Sequence, residues 1–294
     1  MRTNHIFAGE IDRRQVKDMG KSGAKDGKGS AKETWASGSA YEKYVGRWSR
    51  HVAREFLSWL EVPPESRWLD VGCGTGALTE AILAMAAPVK VRGIDASPAH
   101  VEHARSHVID ERASFEVGDA QAIQEASDSF DAVVSGLMIN FIPQPQQAAA
   151  EMARVARPGG VVAAYVWDYP GRMQMMRYFW DTAGALDPRA QELDEGKKRF
   201  TLCQPEPLAQ LFSEAGLRNV EVRGIEIPTI FRDFDDYWLP FLGGQGPAPG
   251  YVVSLSDEQR ATLKERLRSS LPTEADGSIH LVARAWAVRG TRQA

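Results

Sequence analysis

The chain has 294 residues, 43% hydrophobic and 25% charged, which is enough apolar material for a sizeable core and the wrong composition for disorder throughout. A formal charge of −4 gives no general attraction to phosphate backbones, so nucleic acid is excluded as a default partner. The longest apolar runs, Ala81 to Ala87 and Val161 to Trp167, fall far short of the ~18 residues a bilayer span needs, and the distant Cys73 and Cys203 make no disulfide framework, so the reading is no membrane and a reducing cytoplasm.

Residues 1–38 carry a charge of +3 against −7 for the remainder, and Lys21 to Lys32 is built of Gly, Ser, Ala and Lys without apolar periodicity. Such a segment cannot bury enough surface to offset its ordering entropy, so a disordered tail is expected, with one folded domain over 39–294. It lacks the apolar stretch of a secretory signal. From Tyr41 the pattern turns helical: Tyr41, Tyr44, Val45, Trp48, Val52, Phe56, Trp59 and Leu60 share one face, with a break expected at Gly46 and an end before Pro63. Strands are then predicted at Arg67 to Val71, Val89 to Asp95, Ser114 to Val117, Phe130 to Ser135 and Val161 to Trp167. Helices separate them at Ala77 to Met85, Pro98 to His107 and Gln144 to Val155. Ser97-Pro98 suits a helix start, because serine caps free amides and proline at the first position loses no useful donor. This alternation requires right-handed crossovers and a doubly wound parallel sheet of the Rossmann-like α/β class.

After Trp167, helices are predicted at Met173 to Ala185 and Pro205 to Ala215, and a strand at Val220 to Ile227. An aromatic helix from Phe231 to Leu242 and a flexible loop from Gly243 to Gly250 follow. Ser256 to Gln259 forms a capping box opening a helix to about Arg268, and a strand from Ile279 to Val288 closes the chain.

The chemistry concentrates in Asp70-Val-Gly72-Cys73-Gly74-Thr-Gly76, a glycine-rich turn between a buried strand and a helix start. Glycine permits the turn and lets a ligand approach the backbone, while the helix N-terminus presents unpaired amides. Gly72, Gly74 and Ala77 also satisfy a dinucleotide fingerprint, and Asp95, 19 residues after Gly76, can hold a ribose diol in either case. His100, His103 and His107 lie at helical spacing without a convincing ligand set beside them and are read as a solvated face, not a metal site.

Taken with Gly93-Ile-Asp95, Gly118-Asp119-Ala120, Phe130-Asp131-Ala-Val-Val134 and Arg157-Pro-Gly-Gly160, the loop resembles the class I S-adenosylmethionine-dependent methyltransferases. The nearest group is the ubiquinone/menaquinone-biosynthesis-like, or methyltransferase type 11, small-molecule enzymes. The resemblance spans roughly Tyr41 to Asp168. It implies S-adenosylmethionine as cofactor and methyl transfer to a small organic acceptor. It implies a seven-stranded sheet whose last strand is antiparallel, with helical cap insertions expected at about 170–200 and 229–278. Residue by residue, Gly72, Gly74 and Gly76, with Cys73, would face the methionine part and Asp70 would position that loop and the amino group. Asp95 would hold the ribose, Asp119 and Ala120 the adenine, and Ala96 and Leu137 would pack beside the two ends. The leading segment, with Tyr44 and Arg47, would fold over the cofactor. Two rivals remain: a cofactor-binding regulatory protein without catalysis, and a nicotinamide-dependent reductase, which would need a Tyr-x-x-x-Lys pair the sequence lacks. For proton removal Asp168, directly after the fifth strand, is the best-placed candidate, ahead of Tyr165, Tyr169 and His51. Arg172, Arg177 and Arg232 are candidates to pair with an acidic acceptor.

Overall fold

A computed structural model describes residues 46–243 and 246–293, the side chains of 198 and 199 excepted. The expected tail, Tyr41 and Tyr44 lie outside the described residues. Helix α1 (Arg47–Leu60) buries Val52, Phe56 and Leu60, the stripe that the helical spacing marks, and has Gly46 at its N-cap. Then come β1 (Arg67–Val71), α2 (Ala77–Met85), β2 (Lys90–Asp95), α3 (Pro98–His107), β3 (Ala113–Val117), β4 (Phe130–Gly136), α4 (Pro145–Val155) and β5 (Ala156–Trp167). The boundaries of α2 and α3 coincide with the sequence reading, and Ser97 Oγ accepts from the His100 amide as the cap requires. Strand β5 starts earlier than expected: Arg157 to Gly160 is not a free turn but runs within the strand, with an irregularity in register opposite Phe130 and Ala132.

The C-terminal part supplies α5 (Gln174–Leu186), α6 (Ala190–Leu193), a π-helical turn (Glu195–Arg199), α7 (Pro205–Glu214) and β6 (Leu217–Phe231). It continues with α8 (Phe234–Trp238), α9 (Pro247–Ser254), α10 (Asp257–Ser270) and β7 (Ile279–Arg292). Residues 247–250, expected as flexible loop, are the first turn of α9. Pro247 and Pro249 fit there because first-turn amides need no intrahelical partner. Phe231 ends β6 instead of opening a helix. The capping box at Ser256 forms as its sequence demands, with Ser256 Oγ and the Gln259 side chain each accepting from the other's backbone amide.

The seven strands lie in the order β3-β2-β1-β4-β5-β7-β6, all parallel except β7, which runs antiparallel to both neighbours. Central strands read as continuous apolar runs because helices cover both faces: Ala132, Val133 and Val134 of β4 are fully buried, as are Val162, Ala163 and Ala164 of β5. The order reverses between β1 and β4, and a doubly wound sheet opens a crevice at such a switch point, at the carboxyl ends of the strands.

Candidate active site

Strand β1 delivers the chain into the glycine turn at that crevice. Gly72, Gly74 and Gly76 take φ of +73°, +53° and +96°, the left-handed region that side chains resist. A Cβ on Gly72 would stand 2.3 Å from Met138 Cγ, whereas one on Gly74 would meet nothing within 4 Å. Gly72 is therefore fixed by packing, while Gly74 opens on space. The turn is strapped to β2: the Gly72 and Cys73 amides donate to the Ile94 carbonyl at 2.8 and 3.0 Å, and the Gly74 amide donates to Asp95 Oδ2 at 3.0 Å.

Asp95 ends β2 and serves as the hub. Besides Gly74, the Ser97 amide donates to its Oδ1 at 2.9 Å, and His100 Nδ1 lies 3.3 Å from the same oxygen. Burial pushes its pKa up, but the His100 side chain and the Ser97 and Gly74 amides outweigh that and hold the carboxyl below its ordinary range. Asp70, on β1, is the opposite case. It is fully buried, its Oδ2 accepts from the Thr79 hydroxyl at 2.8 Å, and Oδ1 has no partner among the described residues. Burial, reinforced by the charge of Asp95 and only partly offset by Thr79, raises its pKa to about 7.

These groups line a cavity of about 620 Å³ with two chemically different ends. By the strand order, the turn, Asp95, Ala96, Gly118, Asp119 and Ala120 follow β1, β2 and β3 on one side of the switch point, while Tyr165, Trp167 and Tyr169 belong to β5 and its end on the other. There Phe200 packs against Tyr169 and Phe141 and is joined in the lining by Glu195. Leu137, between them, holds a φ of +58° and donates its amide to the Tyr165 carbonyl at 2.8 Å. A non-glycine residue in that region stores strain, and strain persists where the surroundings fix a functional wall. Tyr165 and Trp167 project from the same face of β5, and Gly136 makes room for the phenol, since a Cβ there would stand 2.7 Å from the Tyr165 hydroxyl oxygen.

A methyltransferase-domain model matches residues 69–164, the span from β1 to β5. The methyltransferase GfsG of Streptomyces halstedii is 38% identical over 203 residues, covering 64% of this chain and 68% of that protein. The ubiquinone biosynthesis O-methyltransferase of Burkholderia pseudomallei is 29% identical over 186 residues, 60% of this chain and 77% of its own. Among solved structures, phosphoethanolamine N-methyltransferase 2 of Haemonchus contortus, in complex with phosphomonomethylethanolamine and S-adenosylhomocysteine, shares the fold. The TM-score is 0.55 at 18% identity, over 87% of this chain and 57% of that one. The chain belongs to the class I S-adenosylmethionine-dependent methyltransferases. It is an enzyme with S-adenosylmethionine as cofactor, and its relatives include enzymes named for ubiquinone biosynthesis and for demethylmenaquinone.

The methyltransferase's own residues fit that cofactor. The unpartnered Asp70 oxygen suits an ammonium group, Gly74 leaves space where a side chain would intrude, and the Asp95 carboxylate faces the cavity for a diol. Asp70, Gly72, Cys73, Gly74, Asp95, Ala96, Asp119, Ala120 and Leu137 all line it. Gly76 does not: it is the N-cap of α2, and its missing side chain makes room for Val108. Arg47 is also elsewhere. Its guanidinium donates to Asp236 at 2.9 Å and lies over the Trp48 and Phe231 rings, so it ties α1 to β6 and α8 rather than covering the cofactor.

The expectation for Asp168 needs correction as well. Its side chain is 3% exposed, lies outside the lining, and accepts from the Gly171 and Arg172 amides and from Arg284 at 2.7–3.1 Å. A carboxylate so committed holds a turn and is no proton acceptor for a ligand. Arg172, Arg177 and Arg232 are paired with Glu226, Asp194 and Asp236, away from the cavity. The sequence reading also missed His100, which is half-buried in the wall and bonded to Asp95, not part of the solvated face that His103 and His107 form. A signal was present. A helical side chain leans back toward the N-terminus, so the third residue after the cap serine points at the strand end before it.

The three donors on Asp95 give its substitution two effects. Asp95→Ala removes the carboxylate that lines the cavity beside the glycine turn and also frees the Gly74 and Ser97 amides. Loss of a charge-assisted bond of ~1.5–3 kcal/mol predicts roughly ten- to hundredfold weaker S-adenosylmethionine binding by calorimetry. Thermal denaturation should show a lowered Tm as well. Unchanged affinity would remove Asp95 from the site.

Proposed function

We propose that the methionine and adenosine parts of the cofactor occupy the turn end of the cavity and that a small organic acceptor enters at the aromatic end. The observation that carries this reading is the division of one cavity into a carboxylate-and-glycine end and an aromatic end, with Leu137 and Met138 at the junction. Bound S-adenosylmethionine supplies a methyl group on a sulfonium, which an acceptor attacks in line. The protein's task is then alignment and exclusion of water. Tyr165, Trp167, Tyr169 and Phe200 give a flat apolar acceptor its walls, and Trp167 Nε1, buried and without a partner among the described residues, offers one donor to an acceptor oxygen.

Among the described residues that line the cavity there is no Lys or Arg, which supports an uncharged or cationic acceptor over an acidic one. In place of Asp168, the carboxylate at that end is Glu195, which stands as the proton acceptor ahead of the Tyr165 and Tyr169 phenols. It is 4% exposed and accepts a hydrogen bond from Trp180 Nε1, which orients it. The relatives named for ubiquinone and menaquinone biosynthesis support a small-molecule acceptor with an apolar ring or chain. A cytoplasmic location completes the reading, supported by two free cysteines. No helix among the described residues is long and apolar enough to cross a membrane. The segments 170–200 and 229–278 are the proposed cap over the acceptor.

Transfer of a labelled methyl group into a cell extract, followed by identification of the product, tests the reading. Label appearing only in nucleic acid or protein would overturn the small-molecule acceptor. For an acceptor that must lose a proton, Glu195→Gln is expected to lower methyl transfer about a hundredfold or more with S-adenosylmethionine affinity unchanged. Equal rates would remove Glu195 as the base.

A further inference from the structure

Charge is distributed unevenly around the cavity. Its described lining holds four carboxylates, Asp70, Asp95, Asp119 and Glu195, against a single group able to carry positive charge, the imidazole of His100. The substrate and product forms of the cofactor share adenine, ribose and amino acid; they differ by one methyl group and one positive charge. Contacts with the shared parts cannot tell the two apart, whereas the net charge of the wall can.

We propose that His100 is a specificity-determining residue of the cofactor site, whose charge sets how strongly the enzyme prefers the sulfonium cofactor to the uncharged thioether product. The inference rests on the placement of the cofactor beside Asp95 proposed above. His100 sits in the first turn of α3 behind the Ser97 cap, with Nδ1 3.3 Å from Asp95 Oδ1 and its side chain 24% exposed. A neutral imidazole with its proton on Nδ1 keeps the bond to Asp95 and adds no charge. The imidazolium keeps the same bond and offsets one carboxylate, so the wall attracts a sulfonium less. Loss of the His100 proton therefore favours S-adenosylmethionine over S-adenosylhomocysteine, and its gain favours the product.

The groups facing this histidine bear on where the change falls. Asp95, on β2, raises the His100 pKa through the hydrogen bond, against burial, which lowers it, so the proton is retained above the usual histidine range. Of the other ionisable groups on the wall, the Cys73 thiol is held neutral by burial and by its acidic neighbours, which push its pKa well up. Asp70 titrates near 7 and is the competing source of pH dependence. Arg92, on β2, is engaged by Glu116 and Glu125 outside the lining.

The experiment is calorimetric titration of the full chain with S-adenosylmethionine and with S-adenosylhomocysteine, in wild type, His100→Asn and Asp70→Asn. The asparagine amide at position 100 can donate to Asp95 much as Nδ1 does, but carries no charge. For the wild type, the ratio of the two affinities is expected to shift about three- to tenfold toward S-adenosylmethionine between pH about 5.5 and about 8.5. Asp70→Asn should retain that shift, and His100→Asn should lose it, holding at low pH the ratio that wild type reaches at high pH. A ratio whose pH dependence is the same in wild type and His100→Asn, or is abolished by Asp70→Asn, overturns the proposal. An Asp95→Ala variant that binds both ligands like wild type would instead overturn the placement of the cofactor, so the two failures are distinguishable.

Discussion

Asp70→Asn is expected to stabilise the ligand-free protein at pH 8 and to weaken S-adenosylmethionine binding at the same time. Burial raises the Asp70 pKa from 3.8 to about 7, so the folded state keeps a proton that the unfolded chain releases. A pKa raised on folding contributes stability that is fully present below the unfolded value and is lost as pH rises through the folded one. At 1.36 kcal/mol per unit, the loss between pH about 4 and about 7 amounts to about 4 kcal/mol. Asparagine keeps the shape and an acceptor for Thr79 but has no proton to lose, so the variant and wild type should match at pH 4 and diverge up to pH 7. Denaturant titrations at a series of pH values read this directly. The unpartnered Oδ1 is the reason for the second effect, since an ammonium group in that place pairs with the charge that burial disfavours. Binding near pH 6 should therefore release a proton, seen as calorimetric heats that depend on the buffer's ionisation enthalpy. It should weaken about ten- to hundredfold in the variant. If stability of the two proteins runs parallel across pH, Asp70 is ionised in the fold and the argument fails.

The division between what was legible in the chain and what was not follows from the range of the forces involved. Strand and helix limits around the glycine turn were readable because they depend on local chemistry: Gly72, Gly74 and Gly76 at positive φ, Ser97 as a cap, continuous apolar runs for doubly covered strands. Asp70, Asp95 and Asp119 follow from their places at strand ends. Arg47 was misplaced because its partner Asp236 lies 189 residues away, and Asp168 because Arg284 lies 116 away. No spacing rule reports a pair made by elements that meet only in the finished fold. The aromatic end was half legible. Met173, Met176, Phe179 and Trp180 around α5 and Phe234, Tyr237 and Trp238 of α8 pack as core, as one apolar face per helix demands, joined by Phe231 from the end of β6 and by Phe241. The cavity itself takes its rings from β5 and from the segment around Phe200, where no periodicity singles them out.

The salt bridge between Asp168 and Arg284 carries the clearest separation of structural from catalytic roles. Strand β5 ends at Trp167 beside β7, and the turn that follows is stitched to β7 by the Asp168 amide donating to the Arg284 carbonyl at 2.9 Å and the Arg284 amide to the Arg172 carbonyl at 2.9 Å. The Asp168 carboxylate completes the stitch by accepting Gly171, Arg172 and Arg284 together. Removing one partner of a buried pair costs ~3–5 kcal/mol, because the other is left desolvated. Arg284 keeps a second carboxylate, Glu226, at 3.7 Å and the face of Trp286, so the lower end applies. Asp168→Ala is thus expected to lose about 3 kcal/mol, a fall in Tm of about 6–12 °C for a chain of this size. Asp168→Asn, which still accepts from the two amides, should lose less. Methyl transfer per folded molecule, measured well below the lowered Tm, should stay within about threefold of wild type for both variants, against the hundredfold loss that removal of a general base brings. A variant that kept its Tm and lost its rate would return Asp168 to the chemistry and take Glu195 out of it.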